Sequence, residues 1–197
     1  MKRTVVVFDF DGTLTKKDTL LEFIKYACGK WCFYWGFLLF SPLLILMKLH
    51  LFPNWKAKEM VFTYFFKGMT YERFRGLGQD FVGVVERIKR TDVVEKLQQH
   101  LSKGHDVYVI SASVEDWVRP WCEKFSIKEV LGTKIEVDKI GKLTGKFLSK
   151  NCYGLEKVNR LLIVEPTRND YSLIAYGDSR GDKEIISFAD EGRYINQ

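Results

Sequence analysis

The stretch Thr4-Val5-Val6-Val7-Phe8 constrains the fold more than any other, because it ends abruptly in Asp9-Phe10-Asp11-Gly12-Thr13-Leu14-Thr15. A continuous apolar run rich in β-branched residues reads as a buried strand of a parallel sheet. Ligands of open α/β sheets bind where the strands end at their carboxyl edge, so Asp9 and Asp11 stand where a site forms. Alternation alone points their side chains apart, but a turn beginning at Gly12 curls the second back over the first. Two carboxylates this close repel, which implies a metal ion beside them or a proton kept on one of them.

Three later stretches carry comparable chemistry. Val107-Tyr108-Val109-Ile110 reads as a strand ending at Ser111, Lys157 opens a helix after Gly154-Leu155-Glu156, and Tyr176-Gly177-Asp178-Ser179-Arg180-Gly181-Asp182 places an acidic pair after another apolar run. A lone Asp-x-Asp at a strand end usually just faces water. Four such stretches in this order, three of them following apolar strands, are a much stronger signal. Together they resemble the motifs of the haloacid dehalogenase-like superfamily of phosphatases and phosphotransferases.

That resemblance implies a role for each residue. Asp9 would be the nucleophile that forms an aspartyl-phosphate, and Asp11 the acid that protonates the leaving alkoxide and then activates water. Ser111 and Ala112 would bind the transferring phosphate with the help of backbone N–H groups, and Lys157 would contact both the phosphate and Asp9. Mg²⁺ is the expected cofactor, held by Asp9, the backbone carbonyl of Asp11 and Asp178, with Asp182 supporting rather than coordinating. A carboxylate attacking a phosphate dianion faces about 4 kcal/mol per like-charge pair at ~4 Å and an effective dielectric near 20, so neutralising charge is the site's central task. Asp11 separates the chain from the dehalogenases themselves, which lack the second aspartate, and from the transport ATPases, where that position is typically Thr.

Within the superfamily the chain looks closest to the phosphoserine-phosphatase-like subgroup. It departs from phosphoserine phosphatase at Ser111-Ala112-Ser113, typically Ser-Gly-Gly there, and at Gly177-Asp178-Ser179, typically Gly-Asp-Gly. Glycines let backbone approach a small substrate, so their replacement suggests a larger leaving group. The aromatic first half of the expected cap resembles that of the bacterial phosphatidylglycerophosphate phosphatases, which makes a lipid phosphate the runner-up substrate. A phosphotransferase sharing the intermediate, and a scaffold module without turnover, are the competing classes.

Helices alternating with strands from residue 91 onward give an α/β fold: a three-layer, Rossmann-like parallel sheet. The resemblance assigns residues 1–15 and 91–197 to this core and 16–90 to an inserted α-helical cap. Phe74, Leu77, Phe81, Val84 and Ile88 make one apolar stripe on a cap helix opened by Thr70, and Thr91 is expected to cap the helix carrying Val94, Leu97 and Leu101. Leu131–Val137 and Leu143–Phe147 read as a strand pair, and 193–196 as a last strand.

The hardest stretch is Trp31–Met47, seventeen residues without a charge. A single bilayer crossing here would put Asp9 and Asp11 on one side and Ser111, Lys157 and Asp178 on the other, so no shared site could form. Pro42 suggests two short helices, about 31–40 and 42–51. We expect them to pack internally on the later cap helices; the alternative is a peripheral lipid contact through residues 31–51, with Lys48, His50, Lys56 and Lys58 suited to anionic headgroups.

A formal net charge of +6 favours anionic partners without singling any out. The expected partner is a small phosphorylated substrate and not nucleic acid. Cys28, Cys32, Cys122 and Cys152 show no Cys-x-x-Cys spacing and read as reduced thiols of a cytoplasmic protein, membrane-associated if residues 31–51 meet lipid. No signal peptide is expected, because the N-terminal apolar run is itself the motif-bearing strand.

Overall fold

The computed structural model describes residues 2–49 and 51–195. The opening run forms β1 (Arg3–Phe8), and the loop after it is closed by the Thr15 N–H donating to Phe10 O at 3.0 Å. Five helices follow: α1 (Thr19–Cys28), α2 (Lys30–Lys48), α3 (Asn54–Phe66), α4 (Tyr71–Asp80) and α5 (Val82–Ile88). The remainder runs α6 (Thr91–Ser102), β2 (Asp106–Val114), α7 (Glu115–Cys122), β3 (Glu129–Thr133), β4 (Ile135–Val137), β5 (Leu143–Phe147), α8 (Leu155–Val164), β6 (Tyr171–Gly177), α9 (Lys183–Phe188) and β7 (Glu191–Tyr194).

Five strands form one sheet in the order β3-β2-β1-β6-β7, with every neighbouring pair parallel. Val5 and Val7 point into a core shared with Tyr108, Ile110, Leu173 and residues of α8 and α9. Val6 and Phe8 point the other way, into a core with Val94, Trp121 and the helices between β1 and β2. The sheet is therefore covered on both faces, which is the expected three-layer arrangement and the reason the β1 sequence is apolar at successive positions. Since β1 is the central strand, its carboxyl end is flanked by those of β2 and β6, and the motifs at these three ends converge.

The chain leaves and re-enters the sheet region at one place. Lys16 N–H donates to Ile88 O at 2.7 Å and Arg90 N–H to Leu14 O at 2.8 Å, tying the two crossings together. Between them the helices close on an aromatic cluster in which Phe23 stacks on Trp117 and meets Phe66, Phe74 and Phe81. The antiparallel β4–β5 hairpin attaches to this layer, with Thr63 Oγ1 donating to Gly145 O at 2.7 Å and Phe62 against Phe147.

Several expectations are corrected. Pro42 does not split the helix: α2 runs through it as one element of 19 residues. Pro42 has no N–H to offer the Leu38 carbonyl one turn back, and the Ser41 hydroxyl donates to that carbonyl instead, at 2.8 Å. Nor do the apolar faces of α2 all turn inward. Trp31, Trp35 and Leu39 are 82%, 69% and 64% exposed, so internal packing holds only for the face carrying Phe33 and Phe37. Thr70 does cap α4, accepting from Arg73 N, but the stripe is carried by two helices that meet at Phe81, and Val85 is buried more fully than Val84. Thr91 is the first residue of α6 and not its cap. The run 131–137 divides between two sheets: 129–133 extends the main sheet beside β2, and only 135–137 pairs with β5. The last strand ends at Tyr194; Asn196, like His50 and the Lys48 side chain, lies outside the described residues.

Candidate active site

Asp9 sits at the end of β1, buried, its N–H donating to Tyr176 O at 2.9 Å across to β6. Its Oδ1 receives Lys157 Nζ at 2.6 Å, and the same ammonium reaches Asp182 Oδ1 at 2.5 Å. Lys157, in the first turn of α8, is only 3% exposed. Burial works against its charge, but Asp9 and Asp182 together outweigh that and hold its pKa above the usual lysine value. Burial likewise raises Asp9, to about 7, with Lys157 pulling the other way and Asp182 adding to the rise. A 2.6 Å contact to an ammonium that stays protonated is the geometry of an ion pair.

Asp178 follows β6 and lies across from Gly12. Gly12 has φ +78°, in the left-handed region, and a Cβ there would fall 2.1 Å from Asp178 Oδ2, so no other residue fits that turn. Carboxylate oxygens of Asp9, Asp178 and Asp182 approach within 4.8 Å of one another. Asp182 is already committed: while Oδ1 holds Lys157, Oδ2 accepts from Asp178 N, Ser179 N and Ser179 Oγ. It braces the loop and lysine, and Asp9 and Asp178 are the carboxylates aimed at a common point. This hard-oxygen set, gathered beside the Lys157 ammonium, fits a divalent cation of the Mg²⁺ kind.

Asp11 is held apart from this group. Thr19 N and Oγ1 donate to its Oδ1 at 3.0 and 2.6 Å, and Ser113 Oγ donates to Oδ2 at 2.5 Å. Trp117 Nε1 in turn donates to Thr19 Oγ1, so the aromatic cluster under α1 fixes the threonine that fixes Asp11. Burial raises Asp11 to about 6, with Asp18 adding to the rise and Lys58 and the two hydroxyl contacts opposing it. A carboxyl near that value is able to give and take a proton close to neutrality. Ser111 Oγ, buried at the same edge, accepts from Ser113 N at 3.1 Å, which leaves its hydroxyl hydrogen available to a ligand.

All the residues singled out in the sequence, Asp9, Asp11, Ser111, Ala112, Lys157 and Asp178, line one cavity of about 900 Å³, with Asp182 packed behind it. Sequence reasoning missed Thr19 and Ser113 as the holders of Asp11, and Lys16, Lys17 and Arg180 at the cavity wall. Ser113 was visible only as a departure from a glycine, and the basic residues look like ordinary solvated charges.

A family model described as "haloacid dehalogenase-like hydrolase" matches residues 6–186. The chain belongs to the haloacid dehalogenase-like hydrolases. Among curated relatives, Protein CicA of Caulobacter vibrioides strain NA1000 / CB15N is 32% identical over 195 residues, covering 96% of this chain and 85% of that protein. A solved structure of a Bordetella pertussis Tohama I protein of unknown function superposes with a TM-score of 0.84 at 17% identity, covering 100% of this chain and 90% of the other. A phosphoserine phosphatase solved with an analogue of its phospho-aspartyl intermediate gives a TM-score of 0.65 at 21% identity, covering 100% and 87%. These two structures share the fold of this haloacid dehalogenase-like hydrolase.

Proposed function

We propose that this hydrolase is a Mg²⁺-dependent phosphomonoesterase that works through an aspartyl-phosphate on Asp9, with residues 16–90 as its cap. The observation that carries the reading is the separation of the two motif aspartates. Asp9 is paired with an ammonium and faces the other carboxylates, whereas Asp11 is held by hydroxyl donors and poised near neutrality.

An Asp9 oxygen attacks phosphorus as the bond to the leaving alkoxide breaks, and Asp11 passes its proton to that alkoxide. Asp11, now ionised, takes a proton from a water molecule, whose oxygen attacks phosphorus; the Asp9 carboxylate is regenerated and inorganic phosphate released. Lys157 and the Ser111 hydroxyl bind phosphate oxygens throughout, and Asp182 keeps Lys157 aimed. Mg²⁺ would be held by Asp9, the Asp11 carbonyl and Asp178, and when bound supplies charge neutralisation between the nucleophile and the phosphate. The name of the solved phosphoserine phosphatase supports the phosphatase class and no particular substrate.

The test is release of inorganic phosphate from p-nitrophenyl phosphate and a panel of phosphomonoesters with Mg²⁺, alongside Asp9→Asn. Turnover in the parent and none in the variant is expected. Equal release by both would sink the covalent mechanism, and phosphoryl transfer to an added alcohol in preference to water would reassign the protein as a phosphotransferase.

A further inference from the structure

Helix α2 is apolar on two faces, and only one of them is used by the protein. Phe33, Phe37, Phe40, Leu44 and Met47 recur at steps of four and three on the inner face, where Phe37 lies against Phe65 and Phe40 against Tyr64. The outer face carries Trp31, Tyr34, Trp35, Leu38, Leu39, Ile45 and Leu46, all exposed. Trp55, Met60 and Tyr64 of α3 are exposed as well. At 1.5 Å per residue the stretch from Trp31 to Leu46 lays about 24 Å of uncovered apolar surface along the molecule, unusual for a helix whose outer side meets water. By length and composition Lys30–Met47 could cross a membrane, with a mean hydropathy of 1.5. Its inner face is packed on α3, however, and the helices before and after it in the chain, α1 and α3, both share the core with Val6 and Phe8 on that side of the sheet, so the helix is placed to lie along a bilayer and not across it.

Two further observations identify what covers this face. No acidic residue occurs between Glu22 and Glu59, while Lys25, Lys30, Lys48, Lys56 and Lys58 do, so the segment is uniformly cationic. Its exposed rings include three of the five tryptophans, the residue suited to the boundary between headgroups and acyl chains. The inner face is also continuous with the catalytic cavity: Phe37, Leu44 and Met47 line the same space as Asp9, Lys157 and Lys58. One end of that cavity suits a phosphate and the other an apolar chain.

We propose that the outer face of α2 docks in the headgroup region of an anionic bilayer, and that the cavity takes an amphiphilic phosphomonoester drawn from that surface. The docking stands on the helix alone; the substrate class rests on the phosphatase reading above.

The test uses the full chain, vesicles of phosphatidylcholine with or without phosphatidylglycerol, and phosphatidic acid in those vesicles beside soluble p-nitrophenyl phosphate. The protein is expected to co-sediment with the anionic vesicles and far less with the zwitterionic ones. Leu39→Asp and Trp35→Asp should lower that binding and phosphatidic acid turnover by about tenfold or more, with p-nitrophenyl phosphate turnover unchanged. The milder Leu39→Ser serves if either variant melts early. Parent protein that stays in the supernatant overturns the docking, as does a dimer seen by light scattering and lost in Leu39→Asp, which gives the face to a second copy. Vesicle binding without turnover of either phosphate would sink the phosphatase reading and leave the docking standing. Soluble turnover without vesicle binding would do the reverse.

Discussion

Lys157 Nζ lies 2.6 Å from Asp9 Oδ1, although 148 positions separate the two in the chain. The pairing exists because β1 is the central strand and α8 packs its first turn against the carboxyl edge. It joins the proposed nucleophile to an ammonium that Asp182 shares, so two carboxylates face one cation with Asp178 beside them. Removing either partner therefore has different consequences.

Asp9→Asn keeps shape and hydrogen bonding, so its melting temperature should stay close to the parent's while phosphate release disappears. Lys157→Met leaves Asp9 and Asp182 buried without a counter-charge and should cost about 3 to 5 kcal/mol of stability as well as activity. Urea unfolding of the two variants, followed beside phosphate release, separates these outcomes. Equal stability of Lys157→Met and parent would contradict the ion pair.

Metal removal gives a second prediction. EDTA should abolish turnover and Mg²⁺ restore it, whereas Ca²⁺ should substitute poorly because its larger, looser coordination displaces the Asp9 oxygen. Phosphate release after dialysis into each ion reads this directly, and activity that persists in EDTA would remove the metal from the reaction.

The Asp11 contacts yield a third. The Ser113 hydroxyl donates to the Asp11 carboxylate and lowers its pKa, opposing burial. Ser113→Ala should therefore raise that pKa, and because Asp11 must be protonated to act as the acid, the alkaline limb of the kcat/KM profile should move to higher pH. Thr19→Val should act in the same direction. An unmoved limb in both variants would mean that Asp11 is not the group titrating.

How much of this was legible in advance follows from what is local. The strand ends carrying Asp9, Ser111 and Asp178 could be read because apolar runs and the residues after them are adjacent in sequence. The Thr19 and Ser113 grip on Asp11 could not, since Ser113 lies 102 positions from Asp11 and Thr19 is held in place by Trp117, 98 positions further on. The division of 131–137 was hidden for a similar reason: both pieces have strand composition, and only the partners, β2 for one and β5 for the other, distinguish them. Pro42 misled because the break it causes is repaired by its neighbour Ser41.

Acid stability offers a fourth test, away from the site. Glu165, buried beneath the edge of the sheet, is held at a pKa of about 2 by the Arg3 guanidinium, with Tyr108 and Lys128 also bonded to it. A carboxylate depressed in the folded state stabilises above its unfolded pKa, near 4.5, and that contribution is lost as pH falls towards 2. Arg3 is partly exposed, which screens the pair, so the loss should be on the order of 1 to 3 kcal/mol. Glu165→Gln should flatten melting temperature against pH across that window, relative to the parent.

The cap gives the last prediction, since its helices differ in what they bury. Phe62 is fully buried among Phe66, Phe74 and Phe147, so Phe62→Ala should cost about 3 to 5 kcal/mol. Leu39 stands in solvent, and Leu39→Ala should change stability by no more than about 0.5 kcal/mol. Gly36 sits between them: a Cβ there would fall 2.3 Å from the Phe65 ring, so Gly36→Leu should wedge α2 from α3 and loosen the cap without touching Asp9. Limited proteolysis should then cut residues 30–53 faster in Gly36→Leu than in the parent. A Leu39→Ala loss as large as that of Phe62→Ala would mean that the outer face of α2 is covered by protein after all.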